Sequence, residues 1–202
     1  MGKLVAIVGN TGCGKTTLAK IICHSSRYTA FLEQHRERPF QETFMQDLKT
    51  AAFPNQVDFM LFRAEQEAVI RTSDIVGIQD GGLDQDFHIF TRLFYLNNYL
   101  SEREFGLCKR FYELVRKTLP PPDCVIKLNV PAVKVLAERR KLRKRDIDIA
   151  QITDLPKIET LLQDWFCSSL SLPPWVEIDT SDNDLTFSKS IAQILGFIET
   201  HL

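Results

Sequence analysis

The stretch that decides the fold is residues 4–24, LVAIVGNTGCGKTTLAKIICH. Its first five residues, Leu4–Val8, form an apolar and largely β-branched run that is typical of a buried parallel strand. Leu18 and Ile22 then recur at the spacing of one helix face. Between the strand and the helix, residues 9–16 read GNTGCGKT and fit the pattern G-x-x-x-x-G-K-[ST] at every fixed position. A strand, a glycine-rich loop and a helix in this order predict a site for the phosphates of ATP or GTP.

Each part of this phosphate loop (residues 9–16) has an expected role. Its three glycines let the backbone curl so that N–H groups point at the phosphates, and the start of the following helix adds its dipole. Lys15 is predicted to bridge the phosphates, and the Thr16 hydroxyl to hold Mg²⁺. The alternative, a glycine-rich turn that fits the pattern by chance, is disfavoured by the flanking strand and helix. The predicted nucleotide contacts are Gly9, Asn10, Thr11, Gly12, Cys13, Gly14, Lys15, Thr16 and Thr17.

The rest of the chain alternates short apolar runs with longer segments of helical spacing. Further candidate strands cover residues 29–32, 74–79, 125–130 and 175–178. Between the second and third of the five predicted strands, Val57, Leu61, Ala64 and Ala68 make one face of a helix. This alternation predicts an α/β protein, a three-layer α/β/α domain with a five-stranded parallel sheet that spans residues 1–202.

Composition argues against several other classes of protein. The chain has 25 basic and 26 acidic residues, so no basic excess points to a nucleic acid partner. Its five cysteines are far apart and form no Cys-x-x-Cys pair, which disfavours a disulfide framework or a zinc site and suits a reducing cytosol. The chain opens with a core strand, and no apolar run reaches the ~18 residues that a membrane span needs. We therefore expect a cytoplasmic protein with no leader and no membrane partner.

A phosphate loop alone leaves GTPases, motor ATPases and small-molecule kinases open. GTPases need an Asn/Thr-Lys-x-Asp motif to read the base, and the chain has none. Large ATPases need a longer chain than 202 residues. The sequence therefore favours a compact kinase that moves a phosphoryl group from ATP to a small acceptor.

Residues beyond the loop carry a family resemblance. In chain order they are Phe31-Leu32-Glu33, Arg38-Pro39-Phe40, Phe44, Asp47, Gln56, Arg63, Asp86 and Phe90. Their order resembles the deoxynucleoside kinase family, almost from end to end. Gln56 and Arg63 are two helical turns apart, so they share one face of a predicted helix. The resemblance implies ATP and Mg²⁺ as cofactors, a nucleoside as acceptor, and a homodimer that pairs through helices.

The resemblance also assigns roles on the acceptor side. It implies that Glu33 is the general base that takes the proton of the sugar 5′-hydroxyl. Gln56 is implied to hydrogen-bond the base of the nucleoside, and Phe90 to stack on it. Arg63 is implied to pair with Asp86 and so to set which exocyclic groups fit. Taken singly, these residues also fit a solvated carboxylate, a surface ion pair and a plain core ring.

A basic run, RRKLRKR at residues 139–145, matches the lid of the family. The family pattern Arg-x-x-x-Arg-x-Arg is satisfied by Arg139, Arg143 and Arg145, so the resemblance implies a lid around residues 139–148. Such arginines close over ATP, Arg143 among them, and spread the charge of the transition state. Asp148 stands where the family has a Glu that reaches the sugar 3′-hydroxyl. A solvated basic face and an RNA-contacting helix are the alternatives.

Two positions depart from the family pattern. The third strand of the family ends in Asp/Glu-Arg-Ser, whereas this chain has Asp80-Gly81-Gly82. Asp80 keeps the carboxylate expected near Mg²⁺ and the acceptor, but the arginine is missing. Met45 stands where the family has a Tyr that contacts the sugar. Two alternatives therefore stay open: a kinase for a different small acceptor, and a nucleotide-binding regulatory protein with an impaired kinase site.

Overall fold

The apolar run that opens the chain forms the central strand of a five-stranded sheet. A computed structural model describes residues 1–24, 27–33, 38–130, 136–139, 151–168, 172–181 and 186–202. The strands are β1 Lys3–Gly9, β2 Thr29–Phe31, β3 Val76–Asp80, β4 Cys124–Asn129 and β5 Trp175–Asp179. Their order is β2-β3-β1-β4-β5, and every neighbouring pair is parallel. The predicted five-stranded parallel sheet is confirmed.

Helices connect the strands and cover both faces of the sheet. They are α1 Lys15–His24, α2 Gln41–Gln46, α3 Leu48–Thr72, α4 Leu83–Gln85, α5 Arg92–Leu96, α6 Glu102–Thr118, α7 Leu155–Ser168 and α8 Ile191–His201. A π-helical segment, Asp86–Thr91, lies between α4 and α5, and a 3₁₀ turn, Ile152–Asp154, precedes α7. Residues 136–139 are helical as well.

The core consists of two apolar layers, one on each face of the sheet. On one face, α1 and α8 pack on the strands through Leu18, Ile22, Ile194 and Ile198. On the other face, the strands meet α3, α5, α7 and the π-helical segment through Ala52, Ile89, Phe94, Ile158 and Leu161. This is the three-layer arrangement that the alternating pattern predicts. None of the helices in the described parts of the chain is long and apolar enough to cross a membrane.

The helix α3 departs from the sequence prediction in the face that it buries. Of the four residues predicted to form its apolar face, only Ala64 is buried, and Leu61 is exposed. The side that turns inward buries apolar residues such as Phe59, Met60 and Ile70, and polar residues among them: Asn55, Gln56, Arg63, Gln66 and Glu67. A helix that buries polar side chains needs partners for them, and those partners define the site.

Candidate active site

The phosphate loop follows β1, at the edge where the parallel strands end. Gly9 has φ +149°, and a Cβ there would lie 2.6 Å from the Leu128 carbonyl oxygen, so the bend requires glycine. The Lys15 amino group donates to the carbonyl oxygens of Gly9 and Asn10, each 3.0 Å away. Asn10 holds the loop to α7, because its Nδ2 donates to the Leu155 carbonyl oxygen at 2.9 Å. The residues predicted to cradle phosphates thus form a closed loop at the start of α1.

Thr16 and Asp80 meet beside this loop. The Thr16 hydroxyl donates to Asp80 Oδ2 at 2.5 Å, and Asp80 Oδ1 is buried with no hydrogen-bond partner among the described residues. Hydroxyl and carboxylate oxygens are the ligands that Mg²⁺ prefers, and Mg²⁺ takes few of them from the protein when phosphates supply others. No cluster of three or more His, Cys, Asp or Glu side chains that could hold a metal occurs in the described ranges. The pair therefore fits a Mg²⁺ ion that arrives with a nucleotide.

Arg63 joins the predicted acceptor-side residues. Its buried guanidinium donates from Nε to Asp86 Oδ2 at 3.2 Å, and its Nη2 lies 3.7 Å from Glu33 Oε1. Burial alone would lower the pKa of Arg63, but the carboxylates of Asp86, Glu33 and Asp80 offset it, and the pKa lies above its ordinary value. Sequence reasoning expected the Arg63–Asp86 pair, and the structure brings the two together. The contact with Glu33 was not expected.

Gln56 is held by the π-helical segment. Its Nε2 donates to the Asp86 carbonyl oxygen at 3.0 Å and to Thr91 Oγ1 at 2.9 Å. Phe90 lies in the same segment, half-buried against the apolar layer under α3. Single π-helical turns are rare and occur often at functional sites. Gln56, Asp86 and Phe90 therefore lie on two adjoining elements, as their predicted common role requires.

The backbone conformation of the turn after β3 explains why its two residues are glycines. Gly81 and Gly82 have φ of +89° and +131°, a backbone conformation that side chains with a Cβ rarely adopt. A Cβ at Gly81 would lie 3.1 Å from Arg63 Nη2. The guanidinium of Arg63 therefore lies directly beside the position where the family has an arginine.

The remaining predicted residues fall in different places. Met45 lies on α2 with 42% of its surface exposed. Arg139 is buried and donates to the carbonyl oxygen of Thr180, whose hydroxyl in turn donates to the Cys13 carbonyl oxygen of the phosphate loop at 3.3 Å. Arg143, Arg145 and Asp148, with most of the predicted lid, lie outside the described residues. The roles of all these residues stay predictions.

The family model for deoxynucleoside kinases matches residues 5–202. The chain belongs to the deoxynucleoside kinase family. The predicted family is thus confirmed, together with the class of enzyme that it implies, a phosphotransferase.

Similar proteins are known individually. The chain is 28% identical over 147 residues to deoxyadenosine kinase of Dictyostelium discoideum, a match that covers 73% of this chain and 59% of that protein. It is 24% identical over 161 residues to deoxyguanosine kinase of Bacillus subtilis, covering 80% of this chain and 75% of that one. A solved structure of deoxyadenosine kinase from M. mycoides, with the products dCMP and dCDP bound, has a TM-score of 0.84 at 24% identity. It covers 98% of this chain and 99% of its own, which confirms the fold.

Sequence reasoning missed several residues of this deoxynucleoside kinase family member. Gln85 reaches the phosphate loop, and Gln79 and Gln66 link Arg63 to β3, with Gln79 Nε2 donating to Gln66 Oε1 at 3.1 Å. A buried network on the far side joins Arg116 to Glu67 at 2.6 Å and to Asp84 at 2.8 Å. For Gln66 and Glu67 the sequence signal is a run of polar residues on the helix between β2 and β3, and such a run also fits a solvated face.

Proposed function

We propose that this chain transfers the γ-phosphoryl group of ATP to the 5′-hydroxyl of a deoxynucleoside, giving ADP and the deoxynucleoside 5′-monophosphate. The observation that carries the proposal is the position of Arg63, which lies 3.2 Å from Asp86 and 3.7 Å from Glu33. One buried cation thereby joins the residue expected to read the base to the residue expected to activate the sugar hydroxyl. Membership of the deoxynucleoside kinase family supports the same reaction.

The chemistry assigns a task to each residue. The Glu33 carboxylate takes the proton of the 5′-hydroxyl of the acceptor. The 5′-oxygen then bonds to the γ-phosphorus of ATP, and the bond between that phosphorus and the oxygen that bridges to the β-phosphate breaks, which releases ADP. Lys15 and the N–H groups of the loop hold the phosphates in line with the hydroxyl. Thr16 and Asp80 would hold Mg²⁺, which supplies positive charge against the phosphates when bound. Arg139, Arg143 and Arg145 are proposed to spread the remaining charge as a lid.

The acceptor is proposed to lie between α3 and the π-helical segment. Gln56, Arg63 and Asp86 would contact the base, and Phe90 would stack on it. Met45 and Asp148 would contact the sugar, where methionine offers a 3′-hydroxyl no hydrogen-bond donor. The related M. mycoides enzyme binds dCMP and dCDP as its products, which supports an acceptor of this kind.

We propose further that the protein works as a homodimer in the cytoplasm and serves nucleotide salvage. The neighbouring helices α3 and α6 expose apolar side chains on the outside of the molecule, between 45% and 62% exposed: Leu61, Val69, Leu107 and Leu114. A second copy that covers this face would remove it from water. Sedimentation equilibrium should show a dimer, and Leu61→Glu with Leu107→Glu should give monomers. The exposed Ile152→Glu is the control, and monomers in the unmodified chain would refute the dimer.

The reaction is tested by ADP release with Mg²⁺-ATP across a panel of nucleosides and deoxynucleosides. Turnover on at least one of them, lowered at least about 100-fold in Glu33→Gln, is the expected result because the variant keeps the shape but cannot take a proton. Turnover only on a non-nucleoside would favour a kinase with another acceptor. ATP binding without turnover on any acceptor would favour a regulatory protein.

A further inference from the structure

Arg116 on α6 is a largely buried cation that is held between two carboxylates. Its Nη1 and Nη2 donate to the two oxygens of Glu67, at 2.6 and 3.1 Å, and its Nε donates to Asp84 Oδ1 at 2.8 Å. All three guanidinium nitrogens are therefore engaged at once. Because the guanidinium is planar and rigid, these bonds fix where the two carboxylates lie relative to each other.

The two carboxylates belong to the elements that carry the acceptor-side ion pair. Glu67 follows Arg63 by about one turn of α3, and Asp84 lies two residues before Asp86. The pair of Arg63 and Asp86 joins the same two elements, with Nε and Oδ2 3.2 Å apart. The separation that Arg116 imposes on its two carboxylates is thus passed on to this pair.

The segment after β3 depends on tertiary contacts for its position. Gly81 and Gly82 precede it, both with positive φ, and glycine restricts the backbone least of all residues. The helix α4 that follows has only three residues, Leu83–Gln85, whereas an isolated helix needs about 12 or more to be stable in water. Local structure therefore does not determine where Asp84 lies, and its bond to Arg116 does part of this.

Tyr112, one turn before Arg116 on α6, extends the contact with this segment. Its hydroxyl donates to Asp84 Oδ1 at 2.7 Å, and its ring stacks on Phe87 with the centroids 4.3 Å apart. In the same π-helical segment, His88 stacks on Trp165 of α7 at a centroid distance of 5.2 Å. The surroundings of Trp165 therefore report on where this segment lies.

We propose that Arg116 is a positioning residue for the acceptor site. By holding its two carboxylates together, it sets the distance between Arg63 and Asp86, and it acts on the acceptor only through α3 and the segment after β3. The inference rests on the proposed function and adds to it a residue of α6 on which binding of the acceptor depends.

Arg116→Lys tests this role, because lysine keeps the positive charge but lacks the planar fork that bonds two carboxylates at once. We expect the KM for the nucleoside acceptor to rise at least about fivefold, and by a larger factor than the KM for ATP. Arg103→Lys, the same change at an exposed position of α6, should alter neither constant. An unchanged acceptor KM in Arg116→Lys would overturn the proposal and leave the proposed function standing.

A role in folding alone predicts a different kinetic change. Unfolded molecules are inactive, so a fraction of them lowers the apparent kcat and leaves the KM of the folded molecules as it is. Urea unfolding of both variants measures the loss of stability directly. A lower kcat at constant acceptor KM, together with a lower unfolding midpoint, would therefore refute the positioning role.

A milder variant covers the case in which Arg116→Lys does not fold. Asp84→Asn keeps the shape of the side chain and removes the charge that faces Arg116 Nε. The acceptor KM should then rise at least about twofold, because a neutral acceptor holds the guanidinium less strongly. The proposal fails if this variant, too, has the acceptor KM of the unmodified protein.

Tryptophan emission tests the position of the segment without catalysis. Trp175→Phe leaves Trp165 as the only tryptophan of the chain. In this background, Arg116→Lys should change the emission of folded protein because His88 shifts against the indole, whereas Arg103→Lys should not. If the unmodified protein turns over no nucleoside, the proposed function fails and the emission decides the inference by itself. Emission identical to that of the background would then overturn it.

Discussion

The side-chain oxygen of Gln85 accepts a hydrogen bond from the backbone N–H of Gly9, 2.9 Å away and buried. Gly9 begins the phosphate loop, while Gln85 ends α4 and directly precedes Asp86. The segment expected to read the acceptor is therefore bonded to the loop expected to hold the donor. A movement of the segment around Gln85 would pull on the phosphate loop through this hydrogen bond, and the reverse also holds. We therefore expect the binding of ATP and of the acceptor to be coupled.

Gln85→Leu should break that connection. The Gly9 N–H would stay buried without an acceptor, which costs about 1–3 kcal/mol, so we expect a loss of stability of that size. The KM for ATP should rise severalfold because the loop loses its support. Urea unfolding and steady-state kinetics measure the two effects. Gln163→Leu, the same change at an exposed position of α7, is the control. Equal behaviour of the two variants would contradict the role of the bond.

Gly81→Ala should destabilise the turn after β3. With φ at +89° and a neighbouring nitrogen of Arg63 at 3.1 Å from the new Cβ, we expect a loss of about 1–2 kcal/mol. The displaced guanidinium should also weaken binding of the acceptor. Gly106→Ala on α6 is the matched control, because a Cβ there meets no atom within 4 Å. In a helix that change should instead stabilise by about 0.5–1 kcal/mol. A stabilising Gly81→Ala in chemical denaturation would refute this account.

Asn55→Leu should raise stability. Asn55 is fully buried on α3, and both atoms of its amide group lack a hydrogen-bond partner among the described residues. Replacing an unsatisfied buried amide with an apolar side chain of similar size is expected to stabilise by about 1–3 kcal/mol. Asn97→Leu should have the opposite sign, because Asn97 donates to Asp154 at 3.0 Å and accepts from Lys157. A fall in the unfolding midpoint of Asn55→Leu would show that the amide has a partner.

Stability should fall as the solution becomes acidic, partly through His88. Burial between Trp165 and Tyr112 lowers its pKa from 6.5 to about 4, so the folded protein keeps the ring neutral. The unfolded chain takes up a proton below its ordinary pKa near 6.5, while the folded chain does so only near 4. Between pH 6.5 and 4, His88 should therefore remove stability by up to about 1.4 kcal/mol per pH unit as the pH falls. Unfolding free energies at several pH values measure this slope.

A matched pair of variants isolates the histidine. His88→Phe keeps an aromatic ring in the stack and should flatten the slope between pH 6.5 and 4. His24→Gln, at the exposed end of α1, should leave it unchanged. If the slope persists in His88→Phe, other groups cause it.

Local pattern was enough to predict the fold and the place of the phosphate loop between β1 and α1. Strand, phosphate loop and helix are consecutive in residues 3–24, so the type and order of their residues determine how the loop closes and where Lys15 and Thr16 lie. Short apolar strands that alternate with helices can be connected into a parallel sheet in only a few ways. The predicted five-stranded sheet followed from this alternation. The family resemblance likewise predicted a common site for Gln56, Arg63 and Asp86 from their order, and the structure brings these three residues together.

Only the tertiary structure decided how those residues meet. Helical spacing suggested that Leu61 faces inward, yet α3 turns that residue to the surface and buries Gln56, Arg63 and Glu67. The physical reason is that partners from distant parts of the chain, such as Asp86 and Arg116, satisfy these polar groups, and no local pattern records them. The approach of Arg63 to Glu33, the bond from Gln85 to Gly9 and the orientation of Gln56 all arise in this way. The sequence by itself determined which chemical groups are present, and packing decided which of them are engaged by the protein and which can meet a substrate.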